Sequence, residues 1–126
     1  EGDILSNLRH DRVMIGSDGI PDLSGRPHPR LYGTFPRVLG RYVREQGILD
    51  LESAIRRMTS LSCDVHGLAD RGRIIEGNWA DLVLFDPDVV VDVASYEDPK
   101  QESLGIRNVW VNGQMAFSEG THTQTC

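Results

Sequence analysis

The stretch Val13-Met14-Ile15-Gly16-Ser17-Asp18-Gly19 constrains the fold more than any other in this chain. An apolar run ends abruptly in small residues, which is the pattern of a buried strand closed by a turn. A buried parallel strand presents its chemistry at its C-terminal end, where the loops meet solvent. The sequence therefore predicts a strand over residues 12–15, with Asp18 at the mouth of a site. An Asp between Ser and Gly also serves as a plain turn or capping residue. A function for Asp18 needs support from the rest of the chain.

The flanks of that stretch supply context. Ile4, Leu5 and Leu8 recur at helical spacing, so residues 3–10 read as the last turns of a helix that begins before residue 1. A helix running straight into a buried strand is half of a βαβ unit. The chain thus reads as the end of a larger protein, and the absence of an initiator Met agrees. After the strand, residues 16–33 hold Pro21, Pro27 and Pro29 and predict a long, stiff, irregular loop. Within it stands His28-Pro29-Arg30. The planar fork of Arg30 matches a carboxylate, and the plainer reading is a solvated loop arginine.

Residues 34–45 predict a helix, with Thr34 as cap and Pro36 in the first turn. Phe35, Val38, Leu39, Tyr42 and Val43 form its apolar stripe, and Gly47 ends it. Asp50 predicts the cap of a second helix over 51–59 that buries Leu51, Ala54, Ile55 and Met58. Arg56 and Arg57 near its end suit the helix dipole on a solvated face. One short helical turn follows at 62–68. The pattern then turns strand-like, with a short strand at 73–75, a turn at Gly77-Asn78, a strong strand at 80–85 and an extended run at 89–93. Residues 106–111 alternate, Asn112-Gly113 is a two-residue hairpin signal, and 114–117 is the return strand. The tail at 120–126 reads as polar and frayed.

Composition narrows the function classes. The net charge of −6 excludes the basic footprint of a nucleic-acid binder. No run approaches the roughly 20 apolar residues that span a bilayer. Glu1-Gly2-Asp3 is acidic where a secretion signal is basic. Cys63 and Cys126 make no disulfide framework, and two free thiols fit a cytoplasmic protein. His10, His28, His66 and His122 include no pair at metal spacing.

Several of these segments together resemble the C-terminal part of the D-aminoacylases, the N-acyl-D-amino-acid deacylases of the amidohydrolase superfamily. The resemblance rests on Ile15-Gly16-Ser17-Asp18-Gly19, then His28-Pro29-Arg30-Leu31-Tyr32-Gly33-Thr34-Phe35-Pro36-Arg37-Val38-Leu39-Gly40. It continues through Met58-Thr59-Ser60, Gly67-Leu68, Asp70-Arg71-Gly72-Arg73-Ile74, Gly77 and Ala80-Asp81-Leu82-Val83, and ends in Phe85-Asp86-Pro87 and Val111-Asn112-Gly113. The Gly-x-x-Ala-Asp-Leu-Val segment marks the superfamily. The Gly-Ser-Asp-Gly loop with His-Pro-Arg and Gly-Thr-Phe-Pro-Arg is more specific.

The resemblance implies an α/β plus β fold. Residues 1–60 would hold the last strand and helices of an amidohydrolase (β/α)₈ barrel, and residues 61–126 part of a small β-sandwich. It implies a zinc-dependent hydrolase that splits N-acyl-D-amino acids into a carboxylate and a D-amino acid. Asp18 would bind the metal and act as general base, passing a proton from the attacking water to the leaving amine. Arg30 would grip the substrate's α-carboxylate. The family's other zinc ligands, including a His-x-His motif, have no counterpart here, and one carboxylate does not hold catalytic zinc. The segment alone is thus expected to be inactive and to need the N-terminal barrel portion or self-association. Ser62-Cys63-Asp64-Val65-His66 departs from the family pattern, and Cys63 beside His66 lacks the third group of a nucleophilic site. Two other readings stand: a stand-alone, non-catalytic domain that self-associates or binds a partner chain, and a related amidohydrolase acting on a different amide.

Overall fold

The computed structural model describes residues 2–21 and 25–123. Helix α1 (Gly2–Leu8) turns Leu8 into the core, with Leu5 packed against it, as the helical spacing predicts. The next stretch departs from expectation. Residues 12–15 join no ladder, and the Ile15 N–H donates instead to the Arg57 carbonyl at 3.2 Å. Burial still alternates residue by residue from Val13 to Ile20. The segment keeps the two-sidedness of a strand, but a strand is defined by its hydrogen-bonded neighbours. Among the described residues none lies beside it.

Helix α2 (Arg30–Arg37) begins four residues earlier than predicted. Pro29, with φ −53°, is already set for a helical turn. Its carbonyl accepts from the N–H groups of Tyr32 and Gly33. Thr34 is therefore inside the helix rather than its cap, and its hydroxyl donates back to the Arg30 carbonyl at 2.8 Å. Arg30 is the first residue of a helix, not part of a loop. Pro36 has no N–H to give the ladder, and beyond it Val38–Glu45 winds as a wider π-helix. Val38, Leu39 and Tyr42 are buried, whereas Phe35, expected on the same stripe, stays 41% exposed.

Helix α3 (Leu51–Met58) is capped as predicted. The Asp50 carboxylate accepts the Ser53 N–H at 2.7 Å and the Ser53 hydroxyl at 2.9 Å. The Ser53 N–H above all, then its hydroxyl, holds the Asp50 carboxyl below its ordinary value. Arg57 corrects the sequence reading. It is only 5% exposed, and its Nη1 donates to the Leu8 carbonyl at 2.6 Å. A buried cation is tolerated only where it is paired or hydrogen-bonded. Here it satisfies the open C-terminal end of α1 and ties α1 to α3. Helix α4 (Ser60–His66) is longer than the single turn expected and ends at Gly67.

The C-terminal half is an antiparallel meander: β1 (Leu82–Phe85), β2 (Ile106–Val111), β3 (Gln114–Ser118) and β4 (Thr121–His122), in that order. Leu82 faces Trp110, and Trp110 faces Met115. Asn112 and Gly113 both take positive φ, 52° and 79°, as a tight hairpin turn requires. Three expectations are corrected. Residues 73–75 form no strand, and Ile74 is 90% exposed. Residues 89–93 contribute only one bridge, Val91 to Leu104. Residues 121–122 pair with β3 where fraying was expected. Cys126, expected as a free thiol, lies outside the described residues.

One core joins both halves. Leu8, Val38, Leu39, Tyr42, Leu49 and Ala54 pack with Val90, which is 1% exposed. Burying a valine this fully contributes about 2 kcal/mol. Val90 fits because two glycines make room for its backbone. A Cβ on Gly40 would lie 2.6 Å from the Val90 carbonyl oxygen, and one on Gly105 would lie 2.5 Å from the Val90 nitrogen. Arg44 donates to the Val90 and Pro87 carbonyls at 2.6 and 3.1 Å, and Arg37 pairs with Asp92 at 2.9 Å. Among the described residues, no helix is long and apolar enough to cross a membrane.

Candidate functional site

The start of α2 and the Ile15-Gly16 stretch just before Asp18 line a cavity of about 700 Å³. Asp18 has a φ of 47°, a conformation uncommon outside glycine but tolerated by Asp. The Ser17 hydroxyl accepts the Gly19 N–H at 3.2 Å and closes the turn. This geometry holds the Asp18 side chain out, 80% exposed, where its Oδ2 meets Arg30 Nη2 at 2.8 Å. The two residues singled out from the sequence are thus in direct contact. An exposed pair of this kind contributes little to stability.

Arg30 is placed by its neighbours. Its backbone N–H donates to His28 Nδ1 at 3.1 Å. The neutral His28 ring therefore carries its proton on Nε2, which lies 2.9 Å from the Tyr96 hydroxyl. Arg30 Nε is buried and has no acceptor among the described residues. A buried unmade hydrogen bond costs about 1–3 kcal/mol. Arg30 itself is part of the wall of the cavity. Other walls come from Ile15, Arg37, Asp92 and residues 94–97. Arg37 is neutralised by Asp92, whose side chain is only 10% exposed. The Glu97 carboxyl is held below its ordinary value by its own N–H and then by the Ser95 hydroxyl.

A planar, charged donor edge beside an exposed carboxylate suits a substrate with an anionic end and a bond broken by proton transfer. Metal chemistry is not supplied by these residues alone. Among the described residues, no group of three or more His, Cys, Asp or Glu comes together. Catalytic zinc takes about three protein ligands, so Asp18 by itself does not make a zinc site. The histidines lie apart in role: His28 meets Tyr96, and His122 meets Glu102 at 2.7 Å. Cys63 is a half-buried free thiol against Gly72. Sequence reasoning missed His28 and Tyr96. The His-Pro-Arg spelling pointed at His28, but nothing in the polar stretch around Tyr96 signals a contact some 70 residues away.

Residues 6–117 match the Amidohydrolase family. The chain is 50% identical over 119 residues to N-acyl-D-glutamate deacylase of Alcaligenes xylosoxydans xylosoxydans, covering 94% of this chain and 24% of that protein. It is 48% identical over 123 residues to D-aminoacylase of the same organism, covering 98% of this chain and 25% of that protein. The crystal structure of D-aminoacylase superposes with a TM-score of 0.94 at 46% identity, covering 99% of this chain and 26% of its own. D-aminoacylase has a binuclear metal centre. N-acyl-D-glutamate deacylase from Bordetella bronchiseptica, complexed with zinc and a phosphonate inhibitor, gives 0.88 at 48% identity, covering 95% of this chain and 25% of its own. The chain spans about a quarter of the length of these relatives. With the match running across most of its residues and both chemistry-bearing side chains inside it, this chain belongs to the amidohydrolase family.

Proposed function

We propose that this chain is the C-terminal quarter of a zinc-dependent N-acyl-D-amino-acid deacylase of the cytoplasm. Residues 1–60 are the closing part of its barrel, and residues 61–126 are part of its small β-sandwich. The element order supports a helical part followed by a β part, with strands beginning at Leu82 and α4 (Ser60–His66) lying across the division.

The observation that carries the reading is the 2.8 Å contact between Asp18 and Arg30, with Arg30 on the wall of the cavity. A substrate α-carboxylate on the Arg30 guanidinium fixes the scissile amide relative to Asp18. Asp18 then takes a proton from the water that attacks the amide carbonyl carbon. It returns that proton to the nitrogen as the C–N bond breaks. A carboxylate and a D-amino acid leave. Zinc in the complete enzyme supplies Lewis-acid chemistry. Its ligands other than Asp18 come from outside this chain, which holds no metal group among its described residues.

Arg30→Ala in the complete enzyme tests the substrate role. The loss of a charge-assisted contact should raise KM for N-acyl-D-amino acids by roughly 10- to 100-fold. An unchanged KM removes Arg30 from the binding role.

A second reading is favoured by one observation: Ile20, Ile74, Ile75 and Trp79 are all more than half exposed. A stand-alone module would cover such residues by self-association or with a partner chain. The purified 126-residue chain tests our reading by its size and by its metal content after dialysis. Our reading expects exposed apolar surface, no stoichiometric zinc and no activity. A compact monomer counts against a severed barrel, and stoichiometric zinc would mean that the chain builds a metal site of its own.

A further inference from the structure

Tyr96 lies in the C-terminal half, yet it touches the segment that carries Arg30. Its hydroxyl is 2.9 Å from His28 Nε2, and the two rings meet edge to face with centroids 5.1 Å apart. His28 in turn accepts the Arg30 backbone N–H on Nδ1. A second tether runs beside this one, from the Arg26 guanidinium to the carbonyls of Tyr96 (3.3 Å) and Glu97. The 26–30 segment and the 95–97 turn are therefore stitched together at two points across the cavity mouth. The turn has its own closure, since the Ser95 N–H donates to the Asp98 carbonyl at 3.0 Å and the Ser95 hydroxyl accepts the N–H groups of Glu97 and Asp98.

We infer that Tyr96 is a positioning residue for the carboxylate-binding edge of Arg30, acting through His28. This rests on the reading of Arg30 given above. The argument is geometric. Arg30 opens α2, and the only ring-based contact on its backbone N–H comes from His28, two residues earlier. An imidazole held at Nδ1 alone pivots about χ2. Holding Nε2 as well fixes the ring plane, and with it the direction from which the helix's first turn, and so the guanidinium, leaves the chain. Asp18 holds the far end of the guanidinium at Nη2, and Nε has no acceptor among the described residues. The backbone end of Arg30 is held from behind, and Tyr96 to His28 to Arg30 is the connection there. The Tyr96 side is rigid because the 95–98 turn is closed upon itself. Substrate affinity at a site in the N-terminal half thus depends on a hydroxyl carried by the C-terminal half.

The test is kinetic and uses the complete enzyme. Tyr96→Phe removes only the hydroxyl from a side chain that is 71% exposed, so folding is not at stake. His28→Asn keeps an acceptor near the Nδ1 position but cannot reach Tyr96. Each variant should raise KM for an N-acyl-D-amino acid about five-fold with kcat changed less than about two-fold, as for a lost neutral hydrogen bond. The double variant should be no worse than either single one, because both break the same connection. An N-acylamine that lacks the carboxylate should be hydrolysed with an unchanged KM by all three. Additive effects would mean that Tyr96 reaches substrate by another route and would overturn the inference. So would an unchanged KM in Tyr96→Phe, or an equal rise for the N-acylamine. Arg30→Ala measured alongside separates the two levels. If it raises KM while Tyr96→Phe does not, only the positioning role falls. If it leaves KM unchanged, the reading of Arg30 falls and takes this inference with it.

Discussion

Two turns in this chain begin alike and end up in opposite states. Asp18-Gly19 and Asn112-Gly113 each put a short polar residue at positive φ, 47° and 52°, ahead of a glycine. At Asn112 the turn is tied to its surroundings on several sides. Its N–H donates to Asp81 Oδ1 at 2.7 Å, its side-chain oxygen accepts from Arg71 at 2.8 Å, and the Gly113 N–H donates to the Ala80 carbonyl at 2.9 Å. Arg71 also pairs with Asp81 and lies over the Trp79 ring. At Asp18 the turn is closed by a single serine contact, and the carboxylate stands 80% exposed against Arg30. Ties of this kind mark a turn that holds structure together. An unfavourable backbone position kept without such enclosure points instead to a side chain held ready for something else.

The comparison is sharpened most by Asn112→Ala. It forces an alanine into the left-handed region and drops the Arg71 contact, so it should destabilise the chain by about 2 kcal/mol in a denaturant melt. Gly113→Ala should cost about 1 kcal/mol, all of it conformational. A Cβ there meets nothing closer than Ala80 at 3.9 Å. Acid should weaken the same turn. The Asn112 N–H above all, then Arg71, holds the Asp81 carboxyl below its ordinary value. A lowered native value means that the Asp81 contribution is complete above the ordinary Asp value, about 3.9. It is lost as pH falls through the lowered one. The stability difference between the parent chain and Asp81→Asn should therefore shrink over that range, and a constant difference would break the assignment. Asp18→Asn should change stability by no more than about 0.5 kcal/mol, since an exposed pair is worth little and Asn accepts the same φ. A large loss there would make the two turns alike.

What the sequence made legible follows the same division. The hairpin at Asn112-Gly113 and the Asp50 cap were readable because the chemistry that makes them lies within a few residues. The start of α2 was misplaced because Thr34 is a good cap in isolation, while Pro29, already at helical φ, starts the helix earlier. Residues 12–15 have the composition of a strand, but pairing is a long-range property that one stretch cannot supply. Arg57 was read as solvated because an arginine at the end of a helix usually is; its burial depends on the α1 carbonyl that it caps. At the site, Asp18 and Arg30 were visible as residue types. Their 2.8 Å contact, and the support of Arg30 by His28 and Tyr96, depend on how distant segments meet.

The most direct measurement is kcat for Asp18→Asn in the complete protein, with an N-acyl-D-amino acid at saturation. Loss of the group that moves the proton should lower kcat by about 10³-fold, with the fold intact and substrate still bound through Arg30. A kcat within a few-fold of the parent enzyme would contradict the account, and would return Asp18 to the role of an ordinary turn residue.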